Sequence, residues 1–283
     1  MSYDYQTISV RLDAGVLVAT IKNPPVNVMT LPLYQDLVAF TAAVAVDEEV
    51  KVVVMQSADP DFFIAHFDLE AILSFPIDQP AMKATELSPF HGMCELMRTM
   101  NKPTIAKLAG RVGGGGNEFA ASCDMRFGVK DRTVINQMEV PLGILPGGGG
   151  TQHLPRLIGR NRAMEVILGA EDLDAVTAER WGYLNRIFET PQAMDDFVDR
   201  LARRIASWPS GAVALAKASV VNAEPAMREG LLEEAFLFQQ TLRLPEAHAN
   251  MQAALLMGAQ TRAGESRIAE LMGELPSFNK DSR

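Results

Sequence analysis

Two glycine runs inside one stretch, residues 101–153, constrain the fold of this chain more than any other feature of its sequence. The stretch reads NKPTIAKLAGRVGGGGNEFAASCDMRFGVKDRTVINQMEVPLGILPGGGGTQH. Its pattern predicts a strand at 104–108, a helix opened by the first run, a strand at 125–129, and a helix opened by the second run. Glycine lets backbone N–H groups approach a ligand closely, and the first N–H groups of a helix lack internal partners. Residues 114–116 therefore predict a site for a developing negative charge.

Two glutamates flank this predicted anion site. Glu118 lies just inside the first helix, and Glu139 lies 21 residues further on, in a loop. Only the fold can bring the two carboxylates together. Two acids beside an anion-stabilising backbone suit proton transfer at a carbon next to a carbonyl. Each also has an ordinary structural explanation, because a first-turn carboxylate favours the helix dipole and a loop acid is commonly solvated.

The glycine runs leave one structural alternative open, since four glycines also suit a tight strand–helix turn. Two phosphate-binding patterns are disfavoured. No G-x-G-x-x-G follows the first strand, and neither run is followed by Lys and Ser/Thr at Walker A spacing. We therefore expect neither a dinucleotide fingerprint nor phosphate-cradling ATPase chemistry.

The acidic composition argues against a nucleic-acid surface. The 283 residues carry a formal net charge of −9 and a sequence pI near 5.0, whereas a phosphate backbone attracts basic patches. Two cysteines are too few for a disulfide framework and fit a reducing compartment. The sequence contains no recognisable signal or transit peptide and no 18-residue apolar stretch. We expect a soluble cytoplasmic protein with no membrane span and no nucleic-acid partner.

The first two-thirds of the chain predict strands alternating with helices. Residues 7–12 and 16–21 predict a hairpin, a helix follows from an N-cap at Thr30 to about Val46, and the apolar run 50–56 predicts a strand buried on both faces. Three prolines and mixed polar residues indicate a loop or poorly ordered lid at about 75–89, before a helix at about 90–100. This alternation, through residue 190, indicates an α/β arrangement.

After about residue 195 the predicted strands stop and helices take over. A third helix is predicted at 247–259, behind two apolar helical stripes. The two stripes are formed by Phe197, Leu201, Ile205 and Trp208, and by Leu231, Ala235, Phe238 and Leu242. Such a helical region either covers the chain's own core or buries its stripe on a neighbouring subunit, and the sequence does not decide between the two.

Three segments resemble the enoyl-CoA hydratase/isomerase family, also called the crotonase family. NKPTIAKLAGRVGGGGNEFAASCD resembles the family pattern N-K-P-x-I-A-x-x-x-G-x-x-x-G-G-G-x-E-x-A-x-x-C-D. NQMEVPLGILPGGGGTQHLPRLIG resembles Q-P-E-x-x-L-G-x-x-P-G-x-G-G-T-Q-x-L, and FFIAHFDLEAI resembles F-x-A-G-A-D-L. The resemblance runs from about Ile8 into the C-terminal helices.

The resemblance implies an α/β fold in two parts. A spiral of strand–strand–helix units over residues 1–195 would hold the active site, and a C-terminal helical region at 196–283 would mediate trimerisation. It also implies a homotrimer or a dimer of trimers, a coenzyme A thioester substrate, no metal, and no cofactor apart from the coenzyme A of the substrate. Two backbone N–H groups, those of Ala65 and Gly115, would hold the thioester oxygen. The substrate would contact Ala65, His66, Phe67, Asp68, Gly114 and Gly115.

Family members that hydrate 2-enoyl thioesters carry two glutamates, and Glu118 and Glu139 match both positions. The resemblance therefore implies hydration of a trans-2-enoyl-CoA to a 3-hydroxyacyl-CoA. Glu118 would help to remove a proton from water as it adds to Cβ, and Glu139 would deliver a proton to Cα. Enoyl-CoA isomerisation, another enolate reaction such as hydrolysis or decarboxylation, and a non-catalytic CoA-binding scaffold are the alternatives.

The third segment departs most from the family pattern, because His66-Phe67 stands where the family usually has Gly-Ala. A histidine beside an oxyanion donor either narrows the acyl pocket, touches the coenzyme or points away. A packing or coenzyme-contacting role is favoured over a catalytic one, since the chemistry already has its acids. Asp68 is predicted to cap a helix. Met138 replaces a common proline before Glu139.

Overall fold

The computed structural model describes residues 3–281, and it is a mixed α/β structure. The strands are β1 (Ile8–Asp13), β2 (Val16–Ile21), β3 (Val52–Ser57), β4 (Phe62–Ile64), β5 (Thr104–Leu108), β6 (Arg111–Gly113), β7 (Met125–Val129), β8 (Val134–Asn136), β9 (Leu173–Asp174) and β10 (Arg186–Phe188). The helices of the first half are α1 (Leu31–Val46), α2 (Leu69–Leu73), α3 (Pro89–Thr99), α4 (Gly114–Ala121), a 3₁₀ turn (Val140–Leu142), α5 (Gly150–Ile158), α6 (Arg160–Gly169) and α7 (Ala175–Trp181). Those of the second half are α8 (Pro191–Ala206), α9 (Ser210–Val221), α10 (Arg228–Thr241), α11 (Pro245–Leu256), α12 (Arg262–Glu265) and α13 (Ile268–Asp281).

The strands form two sheets, and the chain passes repeatedly from one to the other. The larger sheet has the order β1-β2-β3-β5-β7-β10, with only the β1–β2 hairpin antiparallel. The smaller sheet has the order β4-β6-β8-β9. The pairs β3–β4, β5–β6 and β7–β8 each place one strand in each sheet before the next helices. The predicted spiral of strand–strand–helix units is confirmed.

Strand β3 lies in the middle of the larger sheet and is buried on both faces, as predicted. Val53 and Met55 belong to the main core, which also contains buried residues of α1, α3 and α4. Val52 and Val54 face the other way and pack against α8. Because successive side chains of a strand point to opposite faces, a continuous apolar run is the pattern that such a strand requires.

Helix α8 covers the outer face of the larger sheet, and its stripe differs from the predicted one. Its most deeply buried residues are Met194, Val198, Ala202 and Ala206. The predicted residues Phe197, Leu201 and Ile205 are only partly buried at the edge of the same contact, and Trp208 follows the helix and is 45% exposed. Small alanines allow the helix to approach the sheet closely. Helix α8 begins at Pro191 and therefore runs through residue 195, the predicted end of the first part of the chain. The division into two parts at that residue stays a prediction.

The last helices fold back onto the chain's own first half. Buried residues of α11 and α13 share a core with α2 and with Met138, Leu142 and Ile144 of the Glu139 segment. Helix α10 lies against the second glycine run, where Leu231 is buried. Helix α9, in contrast, has no buried residue and exposes Leu215 and Val220. The helical region thus covers its own core and also presents an apolar surface.

Candidate active site

The first glycine run joins β6 to α4, and its backbone packs closely against the end of β4. A Cβ built on Gly116 would lie 2.5 Å from the Ile64 carbonyl oxygen, and Gly114 has a φ of +45°. Both positions therefore require glycine. Gly115 is the second residue of α4, so its N–H precedes the first intrahelical hydrogen bond.

Glu118 is the fifth residue of α4, and the second glycine run holds its carboxylate. The side chain is buried, and its Oε1 accepts hydrogen bonds of 2.8 Å from both the Gly148 and the Gly150 N–H groups. The second glycine run therefore wraps a carboxylate. Two backbone donors aimed at one oxygen favour the anionic form of that carboxylate.

Glu139 precedes the 3₁₀ turn and is also buried, not solvated as a loop acid would be. Its Oε1 accepts a 3.0 Å hydrogen bond from Gln137 Nε2, while its Oε2 has no partner among residues 3–278, whose side chains the structure describes. Gln137 Oε1 accepts in turn from Asn117 Nδ2 at 2.6 Å, and the Tyr183 hydroxyl donates to Asn117 Oδ1. This chain of amides orients one oxygen of Glu139 and leaves the other for a ligand.

Both carboxyls have a raised pKa. Burial is the main cause for Glu118, followed by the neighbouring charges of Glu139 and Glu234, and together they raise its pKa well above the ordinary value of 4.5. Burial also raises the pKa of Glu139 to about 7, although Gln137 and His66 oppose the rise. An acid whose pKa lies near neutrality, as that of Glu139 does, both accepts and releases protons at physiological pH.

The two carboxyls share one open cavity of about 740 Å³. Gly115 and Phe67 line it beside them. The remaining wall is largely apolar and includes Leu31, Tyr34, Phe75, Pro76, Met82 and Phe238. Three of these residues come from the predicted loop at 75–89, which has no helix or strand before α3, and Phe238 comes from α10. The α10 stripe therefore faces the cavity of its own chain.

The structure places Phe67, and not Ala65, at the cavity beside Gly115. Ala65 packs in a small buried cluster with Val26, Val28 and Phe62. The Phe67 nitrogen lies 3.5 Å from a Cβ built on Gly115, and its N–H has no hydrogen-bond partner in the described part of the chain. The backbone on either side of Phe67 pairs with Met29 instead. The two N–H groups available at the cavity are thus those of Gly115 and Phe67.

The other residues predicted to contact the substrate are His66, Asp68 and Gly114, the neighbours of Phe67 and Gly115 in the chain. Asp68 caps α2 as predicted, its Oδ1 accepting from the Glu70 N–H at 3.0 Å. A Cβ built on Gly114 would lie 2.9 Å from Glu139 Oε1, so Gly114 makes room for that acid. The His66 side chain is buried and turns away from the cavity.

Comparison with known proteins identifies the family. Residues 11–260 match the model of the enoyl-CoA hydratase/isomerase family. The chain belongs to the enoyl-CoA hydratase/isomerase family. "Probable enoyl-CoA hydratase" of Rhizobium meliloti is 30% identical over 251 residues, which cover 88% of this chain and 95% of that protein. "Crotonyl-CoA hydratase" of Syntrophomonas wolfei is 31% identical over 217 residues, 76% of this chain and 81% of that protein.

Solved structures of the family share the fold. A crystal structure from Streptomyces avermitilis, provisionally assigned as an enoyl-CoA hydratase, superposes with a TM-score of 0.87 at 38% identity and covers 97% of this chain and all of that one. The enoyl-CoA hydratase of Mycobacterium avium subsp. paratuberculosis superposes with a TM-score of 0.77 at 23% identity, over 88% of this chain and 99% of that one. The crotonase-like fold with its C-terminal helical region is therefore established for this member of the family.

In this member of the family, Glu234 holds the second glycine run beside the cavity, and the sequence interpretation missed it. It comes from α10, is buried, and accepts from the Gly149 N–H at 2.6 Å and from the Thr151 N–H at 3.0 Å. It also contacts His91 Nε2 at 3.1 Å. One signal was present, because Glu234 lies on the predicted apolar stripe, three residues after Leu231. An acid on a buried stripe indicates a specific polar partner.

Across residues 3–278, whose side chains the structure describes, no group of three or more His, Cys, Asp or Glu side chains is arranged to hold a metal ion. No helix in the same range combines the length and the apolar character needed to cross a bilayer.

Proposed function

We propose that this protein hydrates a trans-2-enoyl-CoA to a 3-hydroxyacyl-CoA. The observation that carries the proposal is the convergence of two buried carboxyls and two N–H groups on one cavity, those of Glu118, Glu139, Gly115 and Phe67. The names of the relatives support hydration as the general reaction. The largely apolar wall of the cavity suits an apolar acyl group.

The thioester oxygen would accept hydrogen bonds from the Gly115 and Phe67 N–H groups. As electron density moves from the Cα=Cβ bond toward the thioester, these donors stabilise the enolate-like oxygen. Removing one such donor in other enzymes typically costs about 10²–10³ in rate. Phe67 takes the place that the sequence interpretation gave to Ala65, because its N–H is the one that lies at the cavity.

The water molecule would lie between the two acids. Glu118, as the carboxylate, takes one of its protons while the water oxygen bonds to Cβ, and Glu139, as the acid, gives its proton to Cα. The product then contains all the atoms of one water. The reaction leaves a proton on Glu118 and a carboxylate at Glu139, and transfer of that proton to Glu139 restores the starting state.

Glu139→Gln tests the acid role. The amide has no acidic proton for Cα, so we expect kcat for hydration to fall by about 10²–10⁴. The measurement is turnover of a 2-enoyl-CoA in ¹⁸O-labelled water, with mass spectrometry of the product. Glu165→Gln, an exposed change on α6, is the matched control and should retain full activity.

The label separates hydration from isomerisation. A hydratase places one ¹⁸O on Cβ, whereas an isomerase acting on a 3-enoyl-CoA incorporates no oxygen. Isomerisation without label, unchanged in Glu139→Gln, would contradict the proposal and favour a single-acid isomerase.

Assembly as a homotrimer or a dimer of trimers remains a proposal. The exposed apolar residues Leu215 and Val220 of α9 support a subunit contact on that helix. A cytoplasmic location, and chemistry that needs no metal or cofactor beyond the coenzyme A of the substrate, also remain predictions.

A further inference from the structure

His66 replaces the small residue of the family pattern, and its ring makes two hydrogen bonds away from the cavity. Its Nδ1 lies 2.7 Å from the Phe67 carbonyl oxygen. Its Nε2 lies 3.0 Å from Oε1 of Glu265, which is in α12, 199 residues further along the chain. Both side chains are buried, with 3% and 2% of their areas exposed.

The partners of the ring indicate its protonation state. A carbonyl oxygen only accepts, so Nδ1 carries a hydrogen. Glu265 Oε1 already accepts a 2.7 Å hydrogen bond from the Gln260 N–H, which favours its carboxylate form, and Nε2 then donates as well. A ring that donates from both nitrogens is an imidazolium. Burial alone would lower the pKa of His66, but Glu265, with smaller contributions from Phe67 and Glu139, raises it to about 9.

This imidazolium holds the peptide that follows Phe67, next to the peptide that carries one of the two cavity donors. The Met29 N–H donates to the His66 carbonyl oxygen at 2.7 Å, and the Asp68 N–H donates to the Met29 oxygen at 3.2 Å. The ring of His66 holds the Phe67 carbonyl from the other side. The peptides on both sides of Phe67 are therefore held. Because the N–H of a trans peptide points away from its carbonyl, the Phe67 N–H points away from Met29, and its nitrogen lies 3.5 Å from a Cβ built on Gly115.

The His66 side chain also begins close to Glu139. A Cβ built on Gly114 would be 2.9 Å from both the His66 Cβ and Glu139 Oε1, so the two side chains are neighbours across that glycine. The charged groups around His66 are Glu265 from α12 and Glu139 from the turn after β8, and Arg111 of β6 acts on Glu265. His66 in turn lowers the pKa of Glu139 against the effect of burial.

We propose that His66, held as an imidazolium by Glu265, is a positioning residue for hydration that aims the Phe67 N–H at the thioester oxygen and places a buried positive charge beside Glu139. The inference rests on the proposed function. It gives Glu265, in α12 of the C-terminal region, an indirect role in the chemistry through His66.

The test uses His66→Asn, Glu265→Gln and the double variant in the full-length chain. The asparagine amide can still reach the Phe67 carbonyl, but it carries no charge. Removing an opposite charge beside an acid raises the pKa of that acid, by about 1–3 units for close pairs. In a plot of kcat/KM against pH, the basic limb is the fall at high pH, where Glu139 loses the proton that it needs to act. This limb should move to higher pH by about one unit in each variant. His248→Asn, which changes a ring hydrogen-bonded to the Leu73 carbonyl oxygen, is the matched control and should leave the limb unchanged.

A second readout does not depend on turnover. Carbon-13 NMR titration of the glutamate carboxyls, with Glu139→Gln for assignment, should show the Glu139 midpoint rising in His66→Asn and in Glu265→Gln. Labelled-histidine spectra of the wild type, with His66→Asn for assignment, should show His66 protonated at pH 8.

The outcomes separate this inference from the proposed function. If the wild type hydrates no 2-enoyl-CoA, the proposed function fails, and the NMR titration still decides the charge relation of His66 and Glu139. An unmoved basic limb and an unmoved Glu139 midpoint in folded variants overturn the inference. If His66→Asn does not fold, Glu265→Gln decides, because its amide keeps the size of the carboxylate and removes only the charge.

Discussion

Replacing Glu118 with Gln is expected to lower kcat for hydration by about 10²–10⁴, the usual contribution of a positioned general base. The amide oxygen can still accept from the Gly148 and Gly150 N–H groups, so the glycine loop should keep its shape. The variant loses only the ability to take a proton from water. Initial rates over a range of 2-enoyl-CoA concentrations measure the effect, and KM should change much less than kcat.

Thermal unfolding provides the control for this variant. The pKa of Glu118 is raised in the folded state, so its contribution to the free energy of unfolding is fully present below its ordinary value of 4.5 and is lost as the pH rises through the raised value. An uncharged amide does not suffer this loss. At pH 8, Glu118→Gln should unfold at the same temperature as the wild type or higher. A large fall in activity together with early unfolding would show that the residue is structural, and unchanged isomerisation would contradict the two-acid scheme.

Replacing Gly148 with Ala is expected to lower kcat/KM by about 10² or more, although the change keeps every N–H donor. A Cβ at this position would lie 2.6 Å from Glu118 Oε2 and 2.5 Å from the Phe90 ring. Phe90 is stacked on Tyr34, with 6.0 Å between ring centroids, so it cannot move freely. The carboxylate must shift instead, and a displacement of about 1 Å in a catalytic group costs on the order of 10² in rate.

Gly92→Ala is the matched control for Gly148→Ala. It lies in α3, and a Cβ there would meet nothing within 4 Å. Alanine in a helix is favoured over glycine by about 0.5–1 kcal/mol, so this variant should unfold at a slightly higher temperature with unchanged kcat/KM. Full activity in Gly148→Ala would show that Glu118 does not need its observed position.

The sequence predicted the parts of the site that lie within one continuous stretch. Gly115 at a helix start and Glu118 in the same helix follow from local pattern, and both line the cavity. The sequence also singled out Glu139 as a second acid, the resemblance implied its role, and the structure buries it beside them. The resemblance also led to Ala65 as a donor, whereas the structure has the N–H of Phe67 at the cavity. The backbone around Phe67 pairs with Met29, and this pairing decides which N–H of the loop faces the cavity. The spacing of residues in the sequence does not reveal that pairing.

The remaining site residues depend on contacts between distant parts of the chain. Glu234 and Glu265 come from α10 and α12, helices for which the sequence left open whether they cover their own core or a neighbour. Their partners, the glycine run at 147–150 and His66, are known only once the helices are packed. The direction of the His66 side chain was open for the same reason. Periodicity finds a buried stripe but does not identify the surface that it covers.

The most direct test of the account is the loss of the conjugated enoyl-thioester absorbance when the purified protein meets a 2-enoyl-CoA. We predict rapid loss of absorbance with the wild type, and loss slower by at least about 10² with Glu118→Gln and with Glu139→Gln. A steady absorbance with the wild type, while coenzyme A thioesters still bind, would contradict hydration by this pair of acids.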